Sequence, residues 1–172
     1  MRSYGDGVIR RAESADLERL AVVESAADAL FVPLGVTDLP PPPTAHDRAG
    51  SWRVLVAGRP PQGFAVLDLL DGAVHLEQLS VDPVHGRQGI GGALLEAVVA
   101  EARDHGADRV TLITYADVPW NGPFYARHGF VELPEPTPGL RALRRHEIEL
   151  GLDRYGRRTA MVRHLRPRAP QP

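Results

Sequence analysis

Apolar residues over Val8–Ala12 are framed by polar ones and predict a short first strand. Ser14 then stands where an N-cap would open a helix running to about Phe31. The inward stripe of that helix is Leu17, Leu20, Ala21, Glu24, Asp28 and Phe31, so two carboxylates interrupt an apolar face. Either the helix leaves the core after Ala21, or it overhangs a cleft in which Glu24 and Asp28 attract a cationic substrate. Pro33 and the run Pro40–Pro43 break regular structure, which makes the segment from Leu34 to Gly50 a loop with room for a short helix.

Ser51–Ala57 and Gly63–Leu70 read as a hairpin turned at Gly58-Arg59-Pro60-Pro61, and Asp71-Gly72 turns the chain again into a strand over Ala73–Val81. The period then changes. Gly91–Arg103 is helical, with Leu94, Leu95, Val98 and Ala102 on one face and His105-Gly106 as its stop. Arg109–Tyr115 is rich in β-branched residues and reads as a strand, followed by a short helix from about Gly122 to His128. Strand, turn, helix and strand in that order predict a parallel pair joined by a right-handed crossover. Leu140–Leu150 reads as a further helix and Thr159–Leu165 as a closing strand. One domain over residues 1–166 is expected, with a proline-rich, disordered tail over 167–172.

Composition narrows the chemistry. A chain of 172 residues without cysteine has no disulfide framework, thiolate metal site or cysteine nucleophile. The formal charge of −2 exerts no general pull on nucleic acid or anionic membrane, and neither is expected as a partner. No segment of Met1–Arg11 is a leader and no run approaches a membrane span, so a cytoplasmic protein is expected. All 20 basic residues are arginine, and nine fall between Arg141 and Arg168 against three acids. That imbalance reads either as a solvated surface or as a patch for phosphate or an acidic partner.

Two local features carry chemistry. In Ala73–Val81 the apolar positions change parity, from Val74 and Leu76 to Leu79 and Val81. This calls for a β-bulge near Glu77-Gln78, unless the strand is buried on both faces. A bulge would free backbone groups to bind an extended ligand or an oxyanion. The turn that follows holds Gly86, Gly89, Gly91 and Gly92 ahead of an apolar helix. Backbone amides there can converge on a phosphate at the positive end of the helix, with Arg87 adding charge. No Gly-Lys-Ser/Thr follows, and Leu94 occupies the third glycine position of a dinucleotide fingerprint.

Leu79-Ser80-Val81-Asp82-Pro83, followed by Gln88-Gly89-Ile90-Gly91-Gly92-Ala93-Leu94-Leu95, resembles the coenzyme A motif of the GNAT superfamily of acetyl-CoA-dependent N-acetyltransferases. Asn121-Gly122-Pro123-Phe124-Tyr125-Ala126-Arg127-His128-Gly129-Phe130 is similar to that superfamily's second motif. The likeness extends from Val8 to Leu165. It departs at Gly86, where the family usually has Gln or Arg, and at Asn121, one helical turn nearer Tyr125 than is common.

The resemblance implies an α/β fold: a mixed, mostly antiparallel sheet with flanking helices and a central parallel pair splayed at the coenzyme A site. It implies that Leu79, Ser80 and Val81 receive the pantetheine arm. Arg87, Gln88, Gly89, Ile90, Gly91 and Gly92 would hold the pyrophosphate, with Asn121 and Tyr125 also at the cofactor. Tyr125 would protonate the departing thiolate, and Glu77 is the candidate base for the amine. Glu24, Asp28 and Trp120 are the candidate acceptor contacts. The expected reaction is acetyl transfer from acetyl-CoA to a small-molecule or peptide amine, without metal, in a chain that could pair with a second copy. The alternatives are a non-catalytic acyl-CoA-binding module and a transferase for a longer acyl group. His75, His85 and His128 carry no metal-site spacing.

Overall fold

The computed structural model describes residues 2–4 and 7–165, and the tail beyond Leu165 lies outside them. The chain divides into two compact units, one comprising residues up to Asp68 with Glu77–Val98 and the other Leu69–Leu76 with the residues from Val99 onward.

The first unit is a run of antiparallel strands carrying a helix. Strands β1 (Arg2–Tyr4), β2 (Gly7–Arg11), β3 (Arg53–Ala57) and β4 (Gly63–Leu70, to Asp68 in this unit) pair in sequence. The registers include Ile9 opposite Ala57, and Val56 opposite Phe64. Helix α1 (Ser14–Asp28) packs Leu20 and Val23 on Val56, Phe64 and Val66, with Ala12, Leu17 and Val54 at the margin. Burying five such side chains stabilises this unit by about 1.5–3 kcal/mol each.

The helix start differs from the sequence expectation. Glu13, not Ser14, is the N-cap, because the Asp16 carboxylate reaches back to accept from Glu13 N at 2.7 Å. Asp16 also holds Arg10 at 2.6 Å and so ties α1 to β2. Past Asp28 the chain tightens into a 3-10 turn over Ala29–Leu34, ended by Gly35 at φ 84°. Pro33 has no N–H to donate, so this last stretch cannot continue as α-helix. The short helix allowed for in the following loop is α2 (Ala45–Ala49), capped by Thr44.

In the second unit the first half of β5 (Ala73–Val81) lies parallel to β6 (Arg109–Tyr115), with Val74 opposite Val110 and Leu76 opposite Leu112. The crossover between them is α3 (Ile90–His105), which ends at Gly106 with φ 85°. β6 pairs antiparallel with β8 (Arg158–His164) along its whole length, and β7 (Val131–Glu132) adds to β8. The sheet is therefore mixed and mostly antiparallel, with the parallel pair at β5 and β6. Helix α4 (Gly122–Arg127) follows β6. Helix α5 (Pro138–Glu149) begins two residues before the expected Leu140, since Pro138 is suited to the first helical turn. The sequence pattern did not reveal β1 and β7; strands of three and two residues are too short to display a period.

Gly122 has a packing reason. A Cβ there would stand 2.1 Å from the Ala116 carbonyl oxygen. Gly122→Ala is expected to cost about 1–3 kcal/mol in urea unfolding. Gly50→Ala, whose Cβ would meet only Asp47 O at 3.4 Å, should change stability by less than about 0.5 kcal/mol.

Candidate active site

β5 changes character halfway along. Ala73, Val74, His75 and Leu76 are all buried, so this half is a strand covered on both faces. The parallel ladder comprises pairs from Val74 to Leu76 and ends one residue before Glu77. From there Glu77 is exposed, Gln78, Leu79 and Val81 are half-buried, and Ser80 is buried. The expected inward turn of Leu79 and Val81 is therefore not realised. Ser80 takes the inward position and accepts from Gln78 Nε2 at 2.8 Å, while the two apolar side chains stay partly open.

Beyond Val81 the backbone curls as the glycines predict, but at fewer positions. Asp82 accepts from Val84 N at 3.1 Å and opens a 3-10 turn over Pro83–His85. Only Arg87 (φ 62°) and Gly89 (φ 80°) adopt left-handed backbone in the turn. Gly91 and Gly92 already belong to α3, whose first intrahelical bond runs from Ala93 N to Gly89 O at 3.0 Å. The amides of Ile90, Gly91 and Gly92 thus form the helix's opening turn, where donors lack partners four residues back. Arg87, Gln88 and Gly89 are exposed beside them, and Ile90 anchors the turn in the core at 1% exposure. Gly63 lets β4 approach this segment closely: a Cβ there would lie 3.0 Å from Ser80 O and 3.1 Å from Ile90 Cγ2.

A cavity of about 300 Å³ opens in the first unit, lined by Glu24, Pro43, Asp47, Arg48, Ser51, Val66, Glu77 and Gln78. Its charges are dense. Arg48, 3% exposed, is ion-paired with Glu24, gives Nε to Pro43 O at 3.3 Å, and lies 4.6 Å over the Phe64 ring. Burial pushes the Glu24 carboxyl up in spite of the guanidinium. Asp28, one turn further along α1, is raised to about 6 by burial and then by Glu24. Glu77 is raised to about 7, first by desolvation and then by its hydrogen-bonded neighbour Asp68, with Arg48 opposing the rise. Glu77 presents area to the cavity while protein crowds its other sides, so exposure and desolvation coexist. Asp68 is itself tied to the backbone, accepting from Trp52 N at 2.9 Å.

The candidate Glu24 is thus already matched by a cation of the protein, while Asp28 has no ion pair among those of the described residues. Arg48 and Asp68 were not singled out by sequence. Their signals were faint: a Thr44-to-Asp47 capping box inside a proline-rich loop, and one acid in the apolar run from Phe64 to Leu70.

In the second unit, Tyr125 is 7% exposed, with ring centroids 5.2 Å from Phe124 and 5.8 Å from Phe130. Burial holds its hydroxyl protonated well above the ordinary range. Asn121 caps α4 by its backbone, its oxygen accepting from Tyr125 N at 3.0 Å, whereas its buried Nδ2 has no hydrogen-bond partner. Trp120 is 39% exposed. His128 bonds Phe124 O at 2.9 Å, and His75 is a buried strand residue 3.0 Å from Thr111 Oγ1. Several of the C-terminal arginines are paired within this unit: Arg144 with Asp153 at 2.8 Å, Arg157 with Glu132 at 2.9 Å, and Arg158 with Glu147. Among the described residues there is no group of acids and histidines that could hold a metal, and no helix long and apolar enough to cross a membrane.

A strand that opens beside an acid, a glycine-turned helix start and a parallel crossover belong to a fold that the family match identifies as that of an acyltransferase. Residues 12–130 match the Acetyltransferase (GNAT) family, and the chain belongs to it. Rv2747 from Mycobacterium tuberculosis, in complex with CoA, is 21% identical with a TM-score of 0.64, covering 92% of this chain and 99% of its own. The ribosomal-protein-S18-alanine N-acetyltransferase from Escherichia coli is 21% identical, TM-score 0.66, over 96% and 97% of the two chains. PaiA N-acetyltransferase from Thermoplasma acidophilum, in complex with coenzyme A, is 15% identical, TM-score 0.67, over 92% and 99%. At these identities the likeness is one of fold.

The state of Glu77 has a consequence for stability. Its folded-state pKa of about 7 lies above the ordinary 4.5, so the folded chain holds this proton more tightly than the unfolded one. The stabilisation is fully present below about 4.5 and is lost as pH rises through about 7. Thermal melts of Glu77→Gln should gain on the wild type as pH rises across that window. Tm curves that stay parallel would contradict the assignment.

Proposed function

We propose that this protein is an N-acetyltransferase that moves the acetyl group of acetyl-CoA to a primary amine by direct attack in a ternary complex. The observation that carries the reading is Glu77: a carboxyl on a cavity wall, at the end of the parallel ladder, poised to exchange a proton near neutrality.

Acetyl-CoA supplies an activated acyl group, and the protein's own residues account for the rest. The opening-turn amides of Ile90, Gly91 and Gly92, with Gly89, Gln88 and the Arg87 guanidinium, suit a pyrophosphate. Leu79, Ser80 and Val81 stand on the open half of β5, where backbone can pair with a pantetheine amide. Asn121, whose buried Nδ2 has no hydrogen-bond partner, is assigned to coenzyme A by its place in the second motif.

An alkylamine arrives mostly as ammonium at neutral pH and must lose a proton before attack. Glu77 takes that proton, with Asp68 holding its carboxyl in place. Tyr125 is assigned to protonate the leaving thiolate, because its motif matches and its hydroxyl stays protonated. The acceptor is a small-molecule or peptide amine. A cavity of about 300 Å³, at the small end for ligand sites, admits a compact amine or a chain terminus. Asp28 and Trp120 do not line that cavity, and their assignment as acceptor contacts rests on the sequence pattern alone.

Thiol release from acetyl-CoA over an amine panel tests the reading. The wild-type kcat/KM should rise with pH through about 7. Glu77→Gln should lose that limb and about 10²-fold in rate, and Tyr125→Phe should lower kcat while keeping the limb. Tight coenzyme A binding without turnover on any amine would favour a non-catalytic module, and preference for longer thioesters would favour another acyl group.

A further inference from the structure

Arg48 has no place in the reaction just described, yet it is among the most deeply buried charges in the first unit. Taking a guanidinium out of water costs several kcal/mol unless it is paired and hydrogen-bonded. Its neighbours answer that cost from three elements: Glu24 on α1, Pro43 O in the loop, and the Phe64 ring on β4. It also lines the cavity together with Glu77.

We propose that Arg48 is a positioning residue for acetyl transfer: the buried cation of the acceptor cavity, it neutralises Glu24 and leaves Glu77 as the carboxyl that receives the amine's proton. This rests on the acetyl-transfer reading above. Every charged group around Glu77 enters the balance. Asp68 on β4 is its hydrogen-bonded partner, Glu24 on α1 repels its negative form, and Arg48 on α2 favours that form. Asp47, also on the cavity wall, is engaged by Thr44 N at 2.9 Å and Thr44 Oγ1 at 2.7 Å, and Asp28 lies behind Glu24 on α1. Arg48 is the one cation among the residues lining the cavity. Without it Glu24 would be a buried carboxylate with no counter-charge, and Glu77 would hold its proton too tightly to act as a base at neutral pH. Arg48's influence on Glu77 is also larger than that of Glu24. Removing the two together should therefore still raise the proton affinity of Glu77, though by less.

The experiment follows the Glu77 carboxyl directly by carbon-13 NMR titration of the full chain, which needs no acceptor. In Arg48→Met the titration midpoint should rise by about one pH unit, and in Arg48→Lys, which keeps the charge, it should stay close to the wild type. Glu24→Gln/Arg48→Met removes the pair as a unit and gives a second variant if Arg48→Met fails to fold; its midpoint should rise less. An unmoved midpoint in a folded Arg48→Met, or in the double variant if only that folds, overturns the proposal. The pH profile of acetyl transfer separates the two readings. If Glu77→Gln keeps the limb near pH 7, the base assignment itself fails. If Glu77→Gln loses the limb while Arg48→Met leaves it in place, only the role of Arg48 fails.

Discussion

A buried guanidinium obliges the groups around it to take particular positions, and much of the first unit answers to Arg48. Helix α2 has five residues, too few to hold together on local bonds alone. It is held by the Thr44 cap at one end and by the Arg48 ties to α1, the loop carbonyl and the Phe64 ring at the other. Those ties explain an irregularity of α1. Its inward stripe breaks at Glu24 because a carboxylate, not a leucine, must stand where the guanidinium arrives. The ion pair adds little net stability over an apolar pair of similar shape, but losing one partner alone would leave a charge stranded.

The second constraint is the division of β5. Parallel pairing with β6 occupies only its first residues, and these are buried on both faces, which accounts for the continuous run Ala73-Val74-His75-Leu76. One residue later the burial lifts, and Glu77 is exposed. The strand then leads without a loop into the turn at Asp82 and the start of α3. The acid and the glycine turn are thus set by one stretch of backbone. Their spacing is fixed by the strand's rise and the turn's two left-handed residues, not by packing between distant elements.

That continuity decides what could be read from sequence. The crossover, the hairpin, the glycine turn and the position of the acid at 77 are local: each is written in neighbouring residues, through glycine positions, turn pairs or a change of period. The change of parity in the sequence falls where the parallel ladder ends and the burial of β5 lifts. Leu79 and Val81 are partly open and Ser80 is inside, because apolar side chains on an open strand need not face a core. Boundaries moved where a side chain overrode the pattern, as when Asp16 drew the cap of α1 back to Glu13. Arg48 and Asp68 stayed hidden for a different reason. Neither sits in a motif, and their meaning depends on which residues far along the chain come to face them.

The acceptor side therefore carries its information in burial and charge. From sequence, Glu24 and Asp28 allow two readings, a helix that leaves the core after Ala21 or a pair of acids that attracts a cation. The structure gives Glu24 a purpose inside the protein, as the counter-charge of Arg48. What remains unmatched is proton affinity, at Asp28 and above all at Glu77. In the proposed reaction such a site would favour the amine by offering a place for its proton. In the proposed acetyl transfer, selectivity among amines would fall to the shape of a small cavity walled by Pro43, Ser51, Val66 and Gln78. Those residues come from the loop before α2, the approach to β3, and strands β4 and β5, so on that proposal acceptor specificity would be distributed over segments that no single motif records.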